Sequence, residues 1–181
     1  RQVRRGYSSK SPSAILKRFW KQLSKMTWEE AISKGIEGRL ELLLNGQSPV
    51  LLTKMPSGFA VMGDFQHLPG YCVLLAYPIV FSIDTLPLEG RLEFLRDMML
   101  VGQAVSEVCQ PLRMNYSILG NGDPFLHAHI RPRYTWEAEK YRKGPYDRYP
   151  DEEKYHSGVA FESGKHEELR LKIQERLLEL Q

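Results

Sequence analysis

The 181 residues are 42% hydrophobic and 26% charged, ordinary values for a chain that buries one core. No apolar run reaches the ~20 residues of a bilayer-spanning helix, and two cysteines without close spacing, Cys72 and Cys109, argue against a disulfide framework and a zinc knuckle. The formal charge of +3 is unevenly laid: eight of the 25 Lys/Arg stand in residues 1–25 without an acid, so 17 basic residues face 22 acidic ones in the rest, a net −5.

The tail, residues 1–25, has the composition of a non-specific phosphate binder. An expression tag, a presequence or an over-extended start explains it more simply, so no specific nucleic-acid partner is expected. Within it Ile15, Phe19 and Leu23 recur at i, i+4, i+8, the spacing of a short amphipathic helix. Met26 reads as a natural start, because Thr27 and Glu30 form a capping box for the helix that follows. That helix carries Trp28, Ile32, Ile36, Leu40, Leu43 and Leu44, is weakened by Gly35 and Gly38, and ends at "NGQSP".

"PVLLTKMPSGFAVMGD" predicts a hairpin with strands near 50–54 and 59–63, and "YCVLLAYPIVF" a buried strand near 71–77. A long helix is expected from Pro87 to Cys109, its face formed by Leu92, Leu95, Met99, Gly102, Val105 and Cys109. "MNYSIL" is a strand, "GNGDP" a tight loop, and "FLHAHIRPR" a second strand. Strands in runs predict α+β with an antiparallel sheet. Residues 26–134 form the expected domain. Residues 135–181 form an extension holding Trp136, Tyr141, Tyr146, Tyr149 and Tyr155, closed by a helix with Leu169, Ile173, Leu177 and Leu180. Its aromatics are expected to lid a pocket, to pack on a partner subunit, or merely to fill a thin core.

In the last strand Leu126, Ala128 and Ile130 share one face, and Phe125, His127, His129 and Arg131 the other. The apolar set fixes the register, so both imidazoles project together. Beside Arg131 and next to small-residue backbone N–H groups and the Asn121 amide, they suit an anionic ligand, and a neutral imidazole can attack phosphorus. His-x-His is also a metal-ligand spacing, with His67, His156, His166 or Cys72 as third ligand. Spacing alone leaves chance, metal and phosphate chemistry open.

"LGNGDPFLHAHIRPRY", with "LPGYCVLLAYP" upstream, resembles the histidine-triad (HIT) family of nucleotide hydrolases and transferases. The family signature runs H-x-H-x-H-x-x-P-R, often after L-G-N-x-x-P and after an earlier P-G-H. Leu119, Gly120, Asn121 and Pro124 match the lead-in, and Pro132 and Arg133 the end. In element order the likeness covers residues 50–134. Anchored on Pro132-Arg133, His127 takes the place of the nucleophile, His129 of a phosphate contact, and Asn121 of the amide at the reacting phosphate. Phe125 stands for the first histidine and Tyr71 for the P-G-H histidine. A second register, with His127, His129 and Arg131 as the triad, misplaces Pro-Arg and is rejected.

The resemblance implies a five-stranded antiparallel sheet crossed by the long helix, in a two-fold homodimer; no metal or other cofactor is expected, and the two cysteines read as reduced thiols of a cytoplasmic protein. It implies nucleotidyl transfer at an α-phosphorus, with dinucleoside polyphosphates such as diadenosine tetraphosphate as leading substrates and phosphoramidates next. His127 and His129 are then catalytic, and Asn121, Gly122, Tyr71, Phe125 and Arg133 bind substrate. A catalytically weak nucleotide-binding module and a metal-dependent hydrolase are the alternatives.

Overall fold

The computed structural model describes residues 26–181; the expected tail helix around Phe19 lies outside the described residues. The chain divides into two compact units between Ser48 and Pro49.

In the first unit the Thr27–Glu30 capping box forms in both directions, Thr27 Oγ1 accepting from Glu30 N and Glu30 Oε2 from Thr27 N. The expected single helix is two, α1 (Trp28–Ser33) and α2 (Gly35–Leu44). Gly35 takes φ +65°, a left-handed conformation that ends one helix and redirects the chain. The break also rearranges the apolar face: Ile32 and Leu44 are exposed, whereas Ala31, Leu42 and Leu43 are buried.

The second unit holds a five-stranded sheet of β1 (Leu51–Met55), β2 (Gly58–Met62), β3 (Cys72–Ala76), β4 (Arg113–Ser117) and β5 (His127–Arg133). All pairs are antiparallel, in the order β1-β2-β3-β5-β4, as the strand runs predicted. The long helix α3 (Leu88–Cys109) crosses the sheet and packs on β3 and β5. After β5 come two one-turn helices, α4 (Glu139–Arg142) and α5 (Asp151–Lys154), and the closing helix α6 (Ser163–Leu180). Ile173 and Leu177 are buried where α6 lies against α3 and β1. Arg170 Nη1 and Gln174 Nε2 donate to the carbonyls of Leu51 and Leu52, so α6 blunts the β1 edge.

The face expected for α3 is only half right. Gly102 and Val105 are buried, but Leu92 and Met99 are exposed and Leu95 and Cys109 are half-buried. The buried stripe is Phe94, Asp97, Met98, Val101, Gly102, Ala104 and Val105. Asp97 belongs there because its Oδ2 accepts from Ser57 N (2.9 Å) and Ser57 Oγ (2.6 Å), tying the β1–β2 turn to the helix.

Beyond β5 the chain is organised by one buried ion pair. Glu137, 4% exposed, binds Arg133 Nε and Nη2 and accepts from Tyr134 N and Tyr149 Oη. These donors hold its carboxyl below the usual carboxylate range although burial pushes the other way. Leu68, Tyr146 and Tyr149, with Tyr134 and Tyr141 beside them, make a small second core around the pair. Glu137→Ala leaves the Arg133 charge buried and unpaired, so we expect urea unfolding to show a loss of about 3–5 kcal/mol. Removing Glu139 from its exposed pair with Lys143 should change little.

Candidate functional site

Strand β5 is central, between β3 and β4, and its core-side residues Leu126, Ala128 and Ile130 are 0–2% exposed beneath α3. The register is therefore the one the alternation demands, and His127, His129, Arg131 and Arg133 line the opposite face. Leu75 and Val73 of β3 pair with His127 and His129, and Ser117 of β4 with His129 on the other side.

His127 is buried, and its Nδ1 lies 2.9 Å from the Phe125 carbonyl oxygen. A carbonyl only accepts, so Nδ1 carries a proton, and in the neutral ring the lone pair is on Nε2. The orienting group is main chain, which a phenylalanine supplies as well as a histidine would. The Phe125 ring packs against the imidazole, with centroids 4.9 Å apart.

His129 is held in the opposite tautomer. Its Nδ1 lies 2.6 Å from Tyr71 Oη. Burial pushes the Tyr71 hydroxyl up to about 12, against the opposing pull of Arg131, so it keeps its proton at neutral pH; its other neighbour, Arg131 Nη2, can only donate, and that proton therefore points to His129 Nδ1. Burial, then the charge of Arg131 and the neighbouring His127, hold the His129 imidazole down to about 3. The ring is neutral, Nδ1 accepts, and the remaining proton is on Nε2. The two rings meet edge to face at 4.8 Å, one offering a lone pair and the other an N–H.

Tyr71 is itself fixed by the loop ahead of β3. Gln66 Nε2 donates to the carbonyls of Gly63 (2.8 Å) and Tyr71 (2.9 Å), and Gln66 Oε1 accepts from Gly70 N. The Tyr71 ring lies where a Cβ on Gly63 would be, so residue 63 has to be glycine. On its other side the ring meets the Arg131 guanidinium at 4.6 Å, and Arg131 Nη2 reaches Tyr71 Oη at 3.4 Å.

Asn121 and Gly122 lie in the exposed bend leading into β5. The Asn121 amide makes no hydrogen bond among the described residues, and nothing stands within 4 Å of a Cβ built on Gly122. Both are open to a ligand. Arg133 requires a correction. Its Nε and Nη2 serve Glu137, Nη1 reaches Asn115 Oδ1 and the Gly144 carbonyl, and Nη2 also reaches the Tyr141 carbonyl. At 1% exposure it has no donor to spare and holds the segment after β5.

The other histidines do not converge on the pair. His67 packs on the Tyr146 and Tyr149 rings, His156 Nδ1 accepts from Gly158 N, and His166 bonds the Glu162 backbone and stacks on Phe161. Cys72 is buried in the core, and among the described residues no group of three His, Cys, Asp or Glu is placed to hold a metal ion. Arg131 and Tyr146 are not among the expected substrate-binding residues, although the sequence sets Arg131 beside both histidines and counts Tyr146 among the aromatics expected to lid a pocket, pack on a partner or fill a thin core.

No protein-family model and no curated protein sequence matches the chain. Solved structures do. A histidine triad protein from Marinobacter aquaeolei VT8 superposes with TM-score 0.60 at 21% identity, over 72% of this chain and 90% of that one. One from Sinorhizobium meliloti 1021 gives 0.60 at 15%, over 70% and 88%. The chain has the histidine-triad fold. A hypothetical histidine triad nucleotide-binding protein from Sulfolobus tokodaii strain 7 gives 0.57 at 15%, over 77% and 90%. In this histidine-triad fold the helix crosses one face of the sheet, and the paired histidines occupy the other.

Because His129 is neutral when folded and takes a proton near 6.5 when unfolded, its contribution to stability is complete above about pH 6.5 and is lost as pH falls toward 3. Nitrogen-resolved NMR should show its Nε2–H tautomer unchanged from pH 8 to pH 5. Tyr71→Phe should free Nδ1 and let the Nδ1–H tautomer appear, and Arg131→Gln, which removes an opposing charge, should raise the His129 pKa. A wild-type His129 that titrates near 6.5 would contradict the tautomer assignment.

Proposed function

We propose that this protein is a nucleotide-phosphate hydrolase or nucleotidyl transferase that works at an α-phosphorus through His127. The observation that carries the reading is the pair of contacts, His127 Nδ1 to the Phe125 carbonyl and His129 Nδ1 to Tyr71 Oη, which orient a neutral His127 with its Nε2 lone pair beside an N–H on His129. The Nε2 lone pair attacks phosphorus in line, the P–O bond to the leaving group breaks, and its electron pair departs with that oxygen. Water then attacks the nucleotidyl-imidazole, the P–N bond breaks, and the pair returns to Nε2 while the water proton goes to solvent.

His129, the Asn121 amide and the Gly122 N–H hold the non-bridging oxygens as negative charge gathers on them. Tyr71 contributes by keeping His129 a donor, and Phe125 by its carbonyl and its ring. Dinucleoside polyphosphates are the leading substrates and phosphoramidates the second, both following from the histidine-triad resemblance. The loss of the first histidine does not favour a mere binding module, since the group that orients His127 is retained in the backbone. The scattered placement of the other histidines speaks against a metal-activated water. A homodimer is also proposed, supported by the exposed Leu88, Leu92 and Met99 along α3 and by β4, which pairs only with β5 in the described sheet.

Incubation with dinucleoside polyphosphates and nucleoside phosphoramidates, with products separated, tests the reaction. His127→Ala should abolish turnover yet bind nucleotide within a few-fold of wild type, since Asn121 and His129 remain. His129→Ala should lower kcat by roughly 10²–10³, as deletion of one oxyanion donor does elsewhere. Undiminished turnover by His127→Ala would refute the covalent route.

A further inference from the structure

The Arg131 guanidinium is arranged unlike any other arginine in the second unit. It lies between two aromatic rings, Tyr71 and Tyr146, with its carbon 4.6 Å from each centroid. Its hydrogen bonds are long, Nη1 to Ser117 Oγ at 3.3 Å and Nη2 to Tyr71 Oη at 3.4 Å, and its Nε is buried without a partner. Among the described residues it pairs with no carboxylate, whereas Arg133, two residues on, is saturated by Glu137 and carbonyls. Aromatic faces attract the cation and fix its plane but leave its N–H donors unused.

A half-buried charge so placed is costly unless an anion completes it. It also works against its neighbour, since its field disfavours a proton on His129. The Arg131 Nη2–Tyr71 Oη and Tyr71 Oη–His129 Nδ1 distances, 3.4 and 2.6 Å, place Nη2 no more than 6.0 Å from His129 Nδ1, so the guanidinium adjoins the ring whose other nitrogen, Nε2, carries the N–H. The buried Lys154 Nζ lies 5.7 Å from the Tyr146 centroid but is paired to Asp151 at 2.8 Å, which leaves Arg131 as the cation of the clamp.

We propose that Arg131, clamped between Tyr71 and Tyr146, binds a second phosphate of the substrate, adjacent to the one at the histidines. The inference rests on the reading above and narrows it: the preferred ligands carry two or more linked phosphates, and nucleoside phosphoramidates with a single phosphate are poorer. It also gives the segment after β5 a purpose, because that segment supplies one wall of the clamp.

Calorimetric titration of the full chain with AMP, its α,β-methylene diphosphate analogue, inorganic phosphate and tripolyphosphate tests this. Wild type should bind the diphosphate analogue more tightly than AMP, and tripolyphosphate more tightly than phosphate. Arg131→Gln should weaken the analogue and tripolyphosphate by roughly 10- to 100-fold and AMP by less than about twofold. Arg131→Lys should restore part of the loss, and it carries the test if the glutamine variant fails to fold. Equal losses for AMP and its analogue, or no loss for either, would overturn the proposal while leaving the nucleotide reading intact. Arg131-dependent binding of tripolyphosphate without binding of any nucleotide would uphold the anion site and overturn the nucleotide reading. A wild type that binds no tripolyphosphate overturns the anion site.

Discussion

The burial of Leu126, Ala128 and Ile130 under α3 is the constraint on which the site depends. These side chains leave β5 one register only, because a slip of one residue would set two imidazoles and an arginine into the core and three aliphatics outside. Once that register is fixed, His127, His129, Arg131 and Arg133 form a row on one face, and each position meets a different surrounding. His127 meets a carbonyl, His129 a phenol, Arg131 two aromatic rings and Arg133 a carboxylate. The row runs from the histidine pair to the buried ion pair within seven residues.

The departures from the histidine-triad signature become intelligible at this level. A histidine at position 125 would add a side chain, but the bond that selects the His127 tautomer comes from the backbone. A tyrosine at 71 has one donor and a pKa driven upward by burial, and with Arg131 donating to its oxygen that proton goes to His129 Nδ1. The same tyrosine presents a ring face to Arg131, which an imidazole would do less well. Tyr71 and Arg131 thus fit one another: the chain that has the tyrosine also has an arginine to set against it.

The sheet, the hairpin, the long helix and the histidine face were legible because each rests on a local pattern. The helix face was misread because α3 carries apolar residues on two stripes, and the buried one contains Asp97, which looks like a solvent residue until Ser57 is found beside it. The break at Gly35 is a matter of one backbone angle, and a helical period continued across it hides the break. Arg133 fell in the motif and on the site face, yet its partner Glu137 turned it inward. The role of Tyr146 depends on a chain reversal organised by Glu137 and Tyr149, long-range bonds that no periodicity announces.

The central claim is that His127 Nε2, freed by the Phe125 carbonyl, becomes covalently bonded to phosphorus. Rapid mixing with a labelled dinucleoside polyphosphate, quenching under alkaline conditions that preserve P–N bonds, and mass mapping of the peptides addresses it directly. The account predicts a nucleotidyl group on the peptide containing His127, acid-labile and formed no more slowly than product appears. Product formed with no label on that peptide at any time, or label on His129 alone, would contradict it.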